Sequence, residues 1–257
     1  MKITNEVWNK KSLIWDLAIS DLKVRYRNSV LGFVWTLLEP LLLLGVLYLV
    51  FTNVFETTIE YFPLYLLLGL ITWNMFVNGT RLSLDSILTR GHLMTQIHIP
   101  TEIPPISSAI TSLIIVSLEM MVFGVFLVAF QFLPPITILL LPLVIGLNFF
   151  LVLALSMPLS VLNVRYRDTQ FIWGVILHAG FFLNPIFYKS EILPEFLQSI
   201  LWFVPTVHLL NFSRDLTLYG ILPSLNEIGI AVAMTGVIFG IGYAIFRKLK
   251  DRIIEEI

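Results

Sequence analysis

Residues 31–54 read LGFVWTLLEPLLLLGVLYLVFTNV, and this stretch decides the fold class. It holds a single acidic or basic side chain, Glu39, and as a helix it is long enough to cross hydrocarbon about 30 Å thick, which takes about 20 residues. Five more stretches of the same kind follow, roughly at 63–82, 105–130, 134–162, 170–188 and 228–246. The whole chain agrees: 257 residues, 57% of them hydrophobic and only 13% charged, with a mean hydropathy of +0.89. A soluble particle of this size leaves much of its surface in water and cannot hide so much apolar material. The expected fold class is therefore all-α integral membrane, one transmembrane domain over 1–257 with six spanning helices.

Charge position sets the expected topology, because short cytoplasmic loops retain Lys and Arg. Lys2, Lys10, Lys11, Lys23, Arg25 and Arg27 precede the first span, Arg81 and Arg90 follow the second, Arg165 and Arg167 follow the fourth, and Arg247, Lys248, Lys250 and Arg252 follow the last. Lys189 and Arg214 alone fall on the other side, among Glu56, Glu60, Glu191, Glu195, Asp215 and Glu227. Both termini are expected in the cytoplasm of a multi-pass inner-membrane protein. No short apolar core with a small-residue cleavage site precedes residue 27, so no signal peptide is expected. The net charge of -1 argues against nucleic acid as a partner, and the absence of cysteine removes thiol chemistry.

Two regions are expected to lie beside the membrane. Residues 5–27 interleave Trp8, Trp15 and aliphatics with lysine, arginine and aspartate, the pattern of an amphipathic helix on an anionic leaflet; a disordered basic tail is the plainer alternative. The segment Ile192–Pro205 is apolar but too short to cross, so it is expected to dip in and return, with Leu209–Leu225 continuing as a surface helix and turn.

Ionisable groups inside spans are costly and need partners or water. Glu39, Arg81, Glu119 and His178 are such groups, and two pairs are expected, Glu39 with Arg81 and Glu119 with His178; the alternative is that each carboxyl is simply protonated. Asn74, Asn78, Arg81 and Asp85 follow one another at helical spacing on one narrow stripe, which reads as a translocation path or gate, or else as interhelical hydrogen bonding. Tyr48, Phe51 and Phe55 share a helical face, and with Phe181, Phe182 and Phe196 they belong to an aromatic-rich end of the molecule. Such aromatics line a conduit for sugar rings or form an interfacial belt. The segment Leu84–Pro104 is long for a plain link, and a short helix exposing Leu93, Met94 and Ile97 would make a docking knob; a surface turn is the alternative.

The chemistry-bearing motifs are missing. There is no G-x-x-x-x-G-K-[ST] loop, no H-E-x-x-H pair and no G-x-S-x-G elbow, so the chain is expected to be neither an enzyme nor a metal protein, and its energy must come from elsewhere. An ion-coupled secondary transporter would need paired broken helices, of which only Pro142 and Pro158 in the fourth span give a hint.

The run from Asp21 to Pro40, DLKVRYRNSVLGFVWTLLEP, resembles the approach to the first span in type 2 ABC exporter permeases of the polysaccharide group, which export O-antigen, capsule and teichoic acid. Further matches are Tyr48 to Phe51, NVRYRD at 163–168 and NPIFY at 184–188, so the resemblance covers essentially the whole chain; Val204-Pro205 stands where Asn-Pro would be expected. The resemblance implies a homodimer working with two copies of a separate ABC ATPase that holds ATP and magnesium, no cofactor in this chain, and a lipid-linked glycan as cargo. It further implies that the coupling surface for the ATPase is made by Arg25, Tyr26 and Arg27 with Arg90, His92, Leu93, Met94, His98, Ile99, Pro100 and Glu102, and that 192–205 is an outer gate. A permease of the same superfamily exporting drugs or ions, and the ion-coupled transporter, are the alternatives.

Overall fold

The computed structural model describes residues 10–25, 27, 29–32, 34–53, 59–97 and 99–253, with the side chains of 92, 95, 97 and 251–253 outside the description. Among them the chain is all helical: α1 Lys11–Arg25, α2 Val34–Asn53, α3 Phe62–Ile97, α4 Ile103–Ala129, α5 Leu141–Arg165, α6 Thr169–Leu183, α7 Glu195–Leu201, α8 Pro205–Arg214 and α9 Leu225–Ile253. A 3-10 turn, Ile136–Leu140, leads into α5, and a π-helical turn, Asp215–Tyr219, continues α8. Five of these elements are long and apolar enough to cross a membrane: α2, α3, α4, the joined 136–165 segment and α9.

The expected fifth span, 170–188, is shorter in the structure. The 15 residues of α6 reach about 22 Å, short of the hydrocarbon thickness. The helix stops because Pro185 follows: Asn184 is driven to extended backbone (ψ 141), as a residue before proline is.

The second span is longer than expected. Its 36 residues run about 54 Å without a break, so the anticipated loop from Leu84 is mostly the end of this same helix. Nothing from 83 to 97 is a proline, and Ile87 and Met94 keep a buried side there, packed with Ile14, Ile99, Ile103, Met157, Val161 and Phe246 in a small second core. Pro100 lies past the helix end, and Pro104 and Pro105 open α4, where a missing N–H costs nothing.

Further in, α3 is buried on every side: Leu64, Leu66, Leu67, Leu68, Leu70 and Ile71 have no exposed surface. It is the central post of the bundle, packed chiefly against α4 and α5, while α9 covers the other side of α5. Gly242 is what lets α9 come so close, since a Cβ there would run into the carbonyl oxygen of Ala154. Pro142 opens α5 rather than interrupting it, and Pro158 lies within it.

The basic helix α1 is anchored more firmly than a helix resting on lipid. Ile14 and Ala18 are buried and Thr111 of α4 donates to the Ala18 carbonyl at 3.3 Å, while Trp15 and Val24 remain exposed. At the opposite end, α8 corrects the expectation of a surface helix. Thr206, Val207, His208, Leu209, Leu210, Phe212, Ser213 and Arg214 are all buried, and the π turn ends at Gly220 with a left-handed φ of 69°, a conformation open to glycine.

Candidate functional site

At the end where Arg25, Arg90 and Lys250 gather, α1, α2, α3 and α4 enclose a cavity of about 590 Å³. Its lining includes Arg25, Glu39, Asn78, Arg81 and Asp85, so three members of the polar stripe do face one space; Asn74, half-buried, is not part of that lining. Asp85 accepts a hydrogen bond of 3.0 Å from Asn163 Nδ2, which ties the motif at 163–168 to α3.

The expected intramembrane pairs do not form. Glu39 and Arg81 line the same cavity without an ion pair between them, whereas Arg90 pairs with Asp21 and Lys250 with Glu102. His178 is exposed and its Nδ1 lies 2.8 Å from the Gly174 carbonyl of its own helix. Glu119 is buried with Oε2 unpartnered, and its charged neighbours are Glu39 and Arg25. Sequence spacing places residues along a helix but does not say which helix faces which, and here α4 turns Glu119 toward α1 and α2 rather than toward α6.

Several residues expected on a docking surface turn inward. Arg90 is 7% exposed and bridges three elements: it pairs with Asp21 of α1, and its Nη1 donates to Ser107 Oγ at 2.7 Å and to the Pro104 carbonyl at 3.2 Å. Met94 and Ile99 are in the second core, and Glu102, 5% exposed, accepts from Lys250 Nζ of α9 at 2.7 Å. Leu93 and Arg27 are exposed, and Pro100 is half-buried. Tyr26, His98 and Phe55 lie outside the described residues, as does the side chain of His92.

The aromatic expectation fares differently. Phe51 meets Phe187 at 4.8 Å between ring centroids, Phe187 meets Phe181 at 5.7 Å and Phe182 at 6.2 Å, and Tyr48 stacks on Phe62, which also meets Phe51. One aromatic cluster thus joins α2, the start of α3 and the end of α6, with Phe62 and Phe187 as its links. Phe196 is 64% exposed on α7.

Sequence reasoning missed Arg214. Its side chain is fully buried, lies over the Tyr65 ring at 3.5 Å to the centroid, and donates to Tyr65 Oη at 2.8 Å and to the carbonyls of Pro185 and Ile186 at 2.6 Å each. Burial lowers its pKa to about 10, so it stays a cation at neutral pH. Asp215 beside it is pushed up to about 6, first by burial and then by Glu227, against the pull of Arg214. The signal was present: Arg214 is one of two cations on the acid-rich side.

The ABC-2 type transporter family matches residues 12–218. An O-antigen export system permease protein RfbA of Myxococcus xanthus is 29% identical over 259 residues, covering 100% of both chains. One of the same name from Klebsiella pneumoniae is 29% identical over 238 residues, 91% of each chain. The polysialic acid transport protein KpsM of Escherichia coli is 22% identical over 257 residues, 96% of this chain and 97% of that one. With five helices fit to cross a bilayer and a family match over most of its length, this chain is a multi-pass membrane protein of the ABC-2 type transporter family.

Proposed function

We propose that this chain is the membrane subunit of an ATP-driven exporter that moves a lipid-linked polysaccharide of the O-antigen kind from the cytoplasmic to the outer side of the inner membrane. The observation that carries the reading is the end-to-end match to a permease named for O-antigen export. The chain works as a homodimer with two copies of an ABC ATPase, which supplies ATP and magnesium; both termini, and with them the basic end of the bundle, face the cytoplasm, and α6 with the outer re-entrant helices completes the sixth crossing.

The basic end has a construction suited to receiving a push. Arg90 holds α1, α3 and α4 together, and Lys250 adds α9 through Glu102, so a displacement delivered at Leu93 or at Arg25 is passed on by linked helices rather than absorbed. The stripe of Asn78, Arg81 and Asp85 and the aromatic cluster at the far end are the polar and the ring-stacking portions of the path. ATP does work here only through its different affinity for the two states of the ATPase, which the permease follows.

Disruption of the gene, with the partner ATPase left intact, should remove the surface polysaccharide and trap lipid-linked glycan in the cytoplasmic leaflet. Restoring the chain should restore export, and the detergent-purified chain should bring the ATPase with it in fixed ratio. Surface polysaccharide that is unchanged in the disrupted cells would end this reading.

A further inference from the structure

Near the outer end a second cavity of about 490 Å³ opens between the start of α3, the 189–202 segment and α8 with its π turn. That volume is in the range of small-ligand sites, which combine an apolar wall with a few convergent polar groups. The wall here is aromatic. Trp202 and Tyr219, each 44% exposed, line it. Trp202 is held in place on two counts: His208 lies edge-on to its ring at 4.9 Å, and His208 Nε2 donates to its carbonyl at 2.7 Å. An aromatic wall fixed before any ligand arrives costs little to order on binding.

The polar groups are of both kinds. Gln198 and Asn211 bring amides, and Gln198 is oriented by donating to the Leu193 carbonyl at 2.7 Å. Arg214 also lines the cavity, but its Nε–H is buried and both Nη groups are engaged, so it brings positive charge rather than a free donor. The charges select against an anion. Glu191, Asp215 and Glu227 face the cavity, opposed by Lys189 and by an Arg214 whose two Nη groups are already engaged by three oxygens. Nor do these carboxylates converge on a cation: the described residues include no group of three His, Cys, Asp or Glu placed to hold a metal. A ligand with flat C–H faces, many hydroxyls and no charge fits all of these groups.

We propose that this outer cavity is a saccharide-binding site that takes a short stretch of uncharged sugar rings, stacked on Trp202 and hydrogen-bonded by Gln198 and Asn211. The proposal rests on the export reading: the sugar is the emerging chain, held on the outer side so that it does not slip back between strokes.

The test uses the full chain in nanodiscs and, as probe, oligosaccharide fragments released by mild acid from the surface polysaccharide of cells that express it. Saturation-transfer NMR should show magnetisation passing from protein to sugar C–H protons. Trp202→Ala and Asn211→Ala should each weaken binding by about tenfold, Trp202→Phe should keep most of it, and unchanged thermal unfolding of these variants confirms that the fold is intact. A trimer of sialic acid should not compete. Absence of transfer, equal affinity in Trp202→Ala, or competition by the anionic trimer overturns the proposal. Gene disruption separates the two readings: if it removes surface polysaccharide while the fragments fail to bind, the cavity assignment alone falls, and if it leaves the polysaccharide unchanged, both fall.

Discussion

Arg214 shows how one side chain can hold a segment that has no long helix to hold it. Its three hydrogen bonds close the 185–186 turn and α8 onto Tyr65 of α3, and hydrogen bonds from a charged donor contribute about 1.5–3 kcal/mol each. Lysine keeps the charge but not the planar fork that reaches three acceptors at once. Arg214→Lys should therefore lose roughly 3 kcal/mol of stability, read as a lower thermal midpoint in detergent and as easier proteolysis at the 184–204 segment. Next to it, Asp215 makes a pH prediction. Its folded pKa is raised from 3.8 to about 6, so its contribution to stability is fully present below about pH 4 and is lost as pH rises through about 6, where the half-buried carboxyl must ionise. Asp215→Asn removes that loss. The variant should match the natural chain in thermal midpoint near pH 4 and exceed it at pH 7.5, and a gap that stays constant across this range would show that Asp215 is not the group responsible.

At the scale of elements, the close crossing of α5 and α9 depends on one glycine. A methyl group at 242 meets backbone, the Ala154 carbonyl, with Pro158 beside it, and backbone does not rotate away as a side chain does. Gly242→Ala should cost about 1–3 kcal/mol, the range for overpacking, whereas Gly240→Ala on the same helix, where a Cβ meets open space, should be neutral or better. This contrast also marks what periodicity can deliver. Apolar length announced α2, α3, α4, α5 and α9 because each is long enough to register against the thickness of hydrocarbon. The extension of α3 to Ile97 was not legible, since a polar helix and a polar loop beyond a span share the same composition and only the buried Ile87 and Met94 tell them apart. The burial of α8 was hidden likewise: Pro205, His208, Asn211 and Arg214 read as surface until Asn184, Tyr65 and the 185–186 carbonyls satisfy their neighbours from distant parts of the chain. For the candidate site, the members of the cavity at the basic end were found one at a time, and their partners were wrong because helix facing is a property of the packed bundle.

For the molecule as a whole, the two partly buried ion pairs make a claim about motion. The start of α4 is tied to α3 and α1 through Arg90 and to α9 through Glu102 and Lys250, so the basic end should travel as one body, with the conformational change absorbed elsewhere. The alternative is that Glu102 and Lys250 part in every cycle and act as a switch. The two can be distinguished because the chain has no cysteine of its own. Glu102→Cys with Lys250→Cys, joined by a short methanethiosulfonate linker, replaces an ion pair of 2.7 Å by a covalent tie of similar reach. A rigid body loses nothing from being fastened to itself, so polysaccharide export and stimulated ATP hydrolysis should persist at near the level of the single-cysteine controls. Loss of export on linking, reversed by reductant, would show instead that the ends of α4 and α9 separate during transport, and the hinge would then have to be placed at this contact rather than at the Asn184-Pro185 break or the turn before α2.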